Sequence, residues 1–186
     1  MSSREAILSA VRKCLEHSTL AELTVEEIAE AAGVSRATVY RHFPEGRTQV
    51  LDDAIAYEVS LFWQGLADLV RGTPRLSDRL IDGLMAANSR LRNDVLLQKL
   101  LSTERENLLR LMFQTDPLIH LAITNYVREL LLREHLRPGI DVDHASDYVT
   151  RMLVSHIASP GRWDLTDRSS VERLVTTQFL SGILEA

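Results

Sequence analysis

Arg36, Thr38, Tyr40, Arg41 and His42 stand within two turns of chain. These are side chains that meet nucleic acid. Arginine pairs with phosphate or bidentately with guanine, and hydroxyl and imidazole groups bond to phosphate oxygens. The 186-residue chain nevertheless has a net charge of -5. Through residue 50 the cations are Arg4, Arg12, Lys13, Arg36, Arg41 and Arg47, against seven glutamates. Between Gly33 and Arg47, three arginines face only Glu45. Any attraction to phosphate must therefore be local.

The elements that carry these residues read as helices. Ile7, Leu8, Val11 and Leu15 form one buried stripe. Thr24 is placed to cap a second helix, with Glu27 completing a capping box. Ile28, Ala29 and Ala32 line its inner side, and Gly33 ends it. Ser35 caps a short third helix of about 36–42, closed by Pro44 and Gly46. A long amphipathic helix follows over about 47–71, broken by Gly72-Thr73-Pro74. Further helices are expected at 76–92, 94–101, 103–113, 117–136, 143–158 and 168–184. No alternating β-branched run occurs, so the expected class is all-α. The boundary between an N-terminal part (1–46) and a larger C-terminal part (47–186) is placed at the start of the long helix or inside it.

Ala29, Gly33 and Val39 are spaced as two steeply crossed helices require: a small residue for close approach, a glycine corner and an aliphatic wedge. That is helix-turn-helix geometry, with a second helix able to enter a major groove. With Val39 inward, Arg36, Ala37, Thr38, Tyr40 and Arg41 face outward.

The run TVEEIAEAAGVSRATVYRHF (Thr24 to Phe43) closely resembles the DNA-binding segment of the TetR family of transcriptional regulators. The likeness extends more loosely over the chain. It implies an N-terminal three-helix DNA-binding domain joined by a long helix to an antiparallel helical domain for ligand binding and dimerisation. It implies a homodimer that leaves a double-stranded DNA operator when an effector binds. The same resemblance puts Thr24, Tyr40 and His42 on phosphates, and Arg36, Ala37, Thr38 and Arg41 at base edges, with Ser35 near the entry. Family members usually carry a lysine three residues past the phenylalanine. Here Pro44-Glu45-Gly46 precede the cation, so Arg47 would reach a phosphate from a longer turn. Phe43 reads as core.

In the C-terminal part, helices over about 57–136 would enclose a hydrophobic or amphipathic effector. Candidate wall residues are Phe62, Trp63, Leu66, Met85, Leu108, Met112, Phe113, His120, Ile123, Tyr126 and Val127. His120 and Tyr126 would supply polar groups, with Asn88 and Gln98 beside them. Helices at 143–159 and 168–184 look apolar on more than one face, as a four-helix dimer interface requires.

Other functions find little footing. There is no G-x-S-x-G, P-loop or H-E-x-x-H pattern, so an enzyme is not expected, nor a cofactor. The acidic group Asp141, Asp143, His144 and Asp147 reads as turn and cap chemistry, with Asp143 as the cap, rather than as a metal site. Cys14 is the only cysteine, which excludes an intrachain disulfide and fits a reducing cytoplasm. It reads as a half-buried thiol rather than a redox sensor. The N-terminus lacks the apolar core of a signal peptide, and no stretch approaches the ~18 apolar residues of a membrane span. The competing reading is a helical module that binds protein and not DNA.

Overall fold

The computed structural model describes residues 2–94, 96–98, 102 and 117–185. Its helices are α1 (Ser3–Leu15), α2 (Val25–Ala32), α3 (Arg36–His42), α4 (Arg47–Val70), α5 (Leu76–Asn93), α6 (Pro117–Leu131), α7 (Val142–Ala158) and α8 (Arg168–Leu174). A π-helical turn, Val175–Phe179, continues α8. The described residues contain no strand, and Leu136 and Leu184 form an isolated antiparallel bridge. The expected all-α class holds.

The local signals act as read in the first three helices. Thr24 accepts from the Glu27 amide at 3.3 Å, and Glu27 Oε2 accepts from the Thr24 amide at 2.8 Å, which closes the capping box. Gly33 ends α2 with φ 67°, a left-handed conformation that costs a glycine little. Ser35 Oγ accepts from the Thr38 amide at 3.2 Å and starts α3. Val39 and Phe43 are fully buried between α3 and its neighbours. Truncating a phenylalanine packed this way costs about 3–5 kcal/mol.

Three boundaries differ from expectation. The helix expected over 117–136 stops at Leu131. Residues 135–137 then pair with the C-terminal tail, through Arg137 N to Ile183 O (2.9 Å) and Glu185 N to His135 O (3.0 Å). Pro138 favours that extended backbone just before it. The helix expected over 168–184 gives way after Leu174 to the π turn, with Leu180 N bonded to Val175 O. Thr176 and Thr177 donate their hydroxyls to Glu172 O and Arg173 O, each at 2.7 Å, competing with the regular ladder. The third helix boundary involves Asp141, not Asp143, as the cap of α7. Its Oδ1 accepts from the amides of Asp143 and His144, both at 2.9 Å. The helices expected at 94–101 and 103–113 lie largely outside the described residues.

Two hydrophobic cores form. The first joins α1, α2 and α3 to the N-terminal half of α4 through Val50, Leu51, Ala54, Ile55 and Val59. The second gathers Phe62 and Leu66 of α4 with α5, α6, α7 and α8. Packing thus changes hands inside α4, between Val59 and Phe62, and Trp63 touches both cores. Apolar Val149, Leu153, Val171, Leu174, Val175 and Phe179 all turn into the chain's own second core. The outward residues of α8 and the π turn are polar: Glu172, Arg173, Thr176, Thr177 and Gln178. These apolar residues serve the interior of the single chain.

An ion cluster ties the two halves together across the chain. Arg12 on α1 donates to Glu58 on α4 at 2.6 Å and to Asp94 at 2.7 Å. Glu58 is only 8% exposed, so Arg12 supplies the charge that makes its burial tolerable. Asp94 also accepts from the amides of Leu96 and Leu97. Burial would raise the Asp94 pKa, but the Arg12 contact and those amides outweigh it and hold the group below the usual aspartate value. A carboxylate depressed in the fold stabilises above its ordinary pKa, and that contribution is lost as pH falls through the lower folded value. Arg12→Ala is expected to cost about 1.5–3 kcal/mol near neutral pH. In thermal melts against pH, this deficit should shrink on acidification; a constant deficit would contradict the ion-pair account.

Candidate nucleic-acid interface and effector cavity

α3 stands on Val39 and Phe43, which leaves Ser35, Arg36, Ala37, Tyr40 and Arg41 exposed on its outer side, with Thr38 half-buried. The structure brings these residues onto one surface. Tyr40 is 44% exposed. Its ring lies against Gly46, where an added Cβ would come 3.1 Å from Cε1. Gly46 also has φ 71°, so the residue that sharply turns the chain into α4 is the one that seats the tyrosine.

Several expected contacts are already engaged in local bonds. Arg36 forms an ion pair with Glu26 of α2 at 2.7 Å, and both side chains are more than half exposed. Such a surface pair is worth ~0–1 kcal/mol, so a base edge can displace it cheaply. Thr24 donates its hydroxyl to Glu27 at 2.7 Å, and a phosphate there would have to replace a carboxylate. The Thr24 hydroxyl and amide hold the Glu27 carboxyl below its usual pKa. His42 turns Nε2 inward, where it is buried and meets no hydrogen-bond partner among the described residues. That nitrogen does not face the surface on which the resemblance put it.

Arg47 departs furthest from the expected phosphate contact. Its Nε donates to Leu23 O at 2.6 Å, and its Nη2 donates to Leu20 O and to Ala21 O (3.0 Å). The guanidinium pins the α1–α2 connection from beneath. The longer Pro44-Glu45-Gly46 turn shifts the cation by one residue, and that shift aims it at backbone carbonyls. Cys14 is half-buried, with Sγ 3.8 Å from Glu27 O. Burial, aided by the Glu27 charge, pushes its pKa up and so suppresses the reactive thiolate.

In the second core, α4, α5, α6 and α7 surround a cavity of about 220 Å³. Trp63, Leu66, Ile123 and Tyr126, all expected at an effector site, line it together. So do Ala67, Val70, Leu80, Gly83, Ala122, Leu153 and Ile157, with Gln64 and Arg79 as polar members. Phe62 is instead buried in the core and Met85 packs against it; neither lines this cavity. His120 is held by Asp147 on α7 at 3.1 Å and does not reach the wall, and Asn88 and Gln98 are not wall residues either. Val127 is core. Leu108, Met112 and Phe113 lie outside the described residues. Arg79 was not anticipated, although its place was visible. It sits in the stripe Leu76, Arg79, Leu80, Gly83, Leu84, three residues past one inward leucine and four before the glycine.

The acidic group near α7 is likewise committed. Asp143 accepts from Arg128 at 2.5 Å, and Asp147 accepts from Arg151 at 2.7 Å as well as meeting His120. Arg151, then His120, lowers the Asp147 pKa. Among the described residues no helix is long and apolar enough to cross a membrane.

Residues 7–54 match the family model for bacterial regulatory proteins of the tetR family. They are a TetR-family DNA-binding domain. An uncharacterised HTH-type transcriptional regulator of Mycobacterium tuberculosis is 33% identical over 101 residues, covering 53% of this chain and 49% of that protein. The chain thus spans about half the length of that relative. The nucleoid occlusion factor SlmA of Marinobacter nauticus is 27% identical over 184 residues, covering 96% of this chain and 90% of the relative. Among solved structures, the TetR family repressor AlkX from Dietzia sp. superposes with a TM-score of 0.69 at 21% identity, over 99% of this chain and 98% of that one. SmeT, the repressor of a Stenotrophomonas maltophilia multidrug efflux pump, gives a TM-score of 0.58 at 21% identity, over 100% and 92%. These structures share the fold.

In the TetR-type head, Glu26 pairs with Arg36 on the outward surface. Glu26→Gln should release Arg36 and remove a charge that repels phosphate. Fluorescence anisotropy with a random duplex at low salt is expected to show up to about fivefold tighter binding, the range of one surface pair. Unchanged or weaker binding would rule this out. Arg47→Ala should lower stability by about 1–3 kcal/mol through three lost carbonyl bonds, measured by urea unfolding.

Proposed function

We propose that the chain is a ligand-responsive transcriptional regulator, a repressor that leaves a palindromic operator when a small apolar or amphipathic effector fills the cavity. The observation that carries this reading is the double duty of α4. Its N-terminal half is built into the core that supports α3, and its C-terminal half supplies Trp63, Leu66, Ala67 and Val70 to the cavity wall. A ligand that fits one tilt of α4 better than another moves the DNA-reading surface. Coupling of this kind is typically ~1–3 kcal/mol, and the ligand must bind the two states unequally. The Arg12 cluster adds a second tie between α1 and the C-terminal half.

One α3 reads few base pairs. Two copies related by a two-fold axis read half-sites ~34 Å apart, so the working unit is a homodimer. Within each head, Arg36, Ala37, Thr38 and Arg41 face base edges and Tyr40 a phosphate, with Ser35 at the entry. Thr24 joins the phosphate contacts by exchanging Glu27. The domain division proposed at 46/47 marks where α4 begins, whereas the cores divide further along it.

Selection from a random duplex pool, followed by gel shifts, tests this directly. Enrichment of a palindrome is expected, with log K falling steeply as log salt rises. Arg36→Ala should relax sequence choice, and Tyr40→Phe should weaken selected and random duplexes alike. No duplex binding even at low salt would favour a module that binds protein. Duplex binding that no apolar compound weakens would favour a role nearer that of the nucleoid occlusion relative.

A further inference from the structure

Arg79 is the only charged residue among the described residues that line the cavity. It is half-buried, and its three bonds all go to neutral acceptors. Nε donates to Thr73 O, Nη1 to Tyr126 Oη at 3.2 Å and Nη2 to Arg71 O at 3.1 Å. No carboxylate lies within ion-pair distance of it among the described residues. Asp82, on the same helix, is taken by Arg168 at 2.7 Å, and Glu134 accepts from the Leu76 amide. A guanidinium has five N–H donors, so Arg79 keeps unused ones. Tyr126 accepts from Arg79, which leaves its own hydroxyl proton to donate. The Trp63 indole N–H is also buried without a partner among the described residues. Beyond these donors and Gln64, the described lining side chains are apolar.

A positive charge against apolar walls favours an anion, because charge-assisted bonds are strong where water is scarce. Among the described residues the wall holds no carboxylate to receive an ammonium group. A single cation matches a single negative charge, which favours a carboxylate over a dianionic phosphate ester. The cavity, about 220 Å³, falls below the ~300–1,000 Å³ usual for drug-sized ligands. The tail must therefore be short.

We propose that the effector is a small amphipathic monocarboxylic acid whose carboxylate sits on Arg79 and Tyr126 and whose apolar tail lies between Trp63, Leu66, Ile123 and Leu153. This rests on reading the cavity as the effector site. It also explains how one ligand could set the α4–α5 corner. Arg79 holds Arg71 O and Thr73 O, the carbonyls just past the end of α4, so a carboxylate drawing on the guanidinium acts on the end of the connecting helix.

Calorimetric titration of the full chain with octanoate, 1-octanol and octylamine separates the headgroup from the tail. Octanoate should bind at least tenfold tighter than octanol, with octylamine weakest. Tyr126→Phe should weaken octanoate severalfold and leave octanol unchanged, and Arg79→Gln should bring octanoate down to the octanol level. The wild-type headgroup order decides the matter even if Arg79→Gln does not fold. Octanol binding as tightly as octanoate, or octylamine binding tighter, would overturn the carboxylate assignment while leaving the cavity a ligand site. Octanoate binding that leaves affinity for the selected duplex unchanged would uphold the ligand class and sink the effector reading. Failure of all three probes to bind would overturn both.

Discussion

One helix serves two hydrophobic cores, and the molecule's behaviour depends on that sharing. α4 runs for 24 residues, roughly 36 Å at 1.5 Å per residue. Val50, Leu51, Ala54, Ile55 and Val59 are buried under the head, and Phe62 and Leu66 are buried among the C-terminal helices. A helix packed on both sides at interior density cannot bend to suit each core separately. In the proposed mechanism, a change in how either half packs would reach the other as a tilt or shift of the rod. Trp63 sits at the junction and lines the cavity as well, so the point where packing changes hands is also the point a ligand would touch.

The head's outer surface is held by local bonds. Arg36 rests on Glu26, and Thr24 on Glu27. Both carboxylates lie in the first turn of α2, where they favour its positive N-terminal dipole. The same acids that start α2 therefore also hold Arg36 and Thr24 in local bonds. Arg47 serves stability instead. By binding the carbonyls of Leu20, Ala21 and Leu23 it fixes the α1–α2 connection, and hence the platform from which α3 projects.

Much of this was legible residue by residue. Capping by Thr24 and Ser35, the Gly33 corner, the Val39 wedge and the outward set on α3 all depend on contacts a few positions apart, where residue type largely dictates geometry. Among wall residues, Trp63, Leu66, Ile123 and Tyr126 were also anticipated, because apolar periodicity marks an inner face. Periodicity does not say whether an inner face meets a neighbour or a void, and so Phe62, Met85 and Val127 could not be told from them. His120 could not be assigned either, since its partner Asp147 lies 27 positions away on another helix.

What the sequence determined by itself was the helical class, the helix-turn-helix and the face of α3 turned outward, because those follow from caps, turns and spacing within single stretches of chain. Only the tertiary structure decided that Arg47 folds inward, that apolar residues of α7 and α8 enter the chain's own core, and that Arg79 stands at a cavity with no carboxylate beside it among the described residues. Each of those outcomes depends on distant backbone carbonyls or side chains brought within a few ångströms. No local pattern encodes which of several compatible partners a charge or an apolar face will meet.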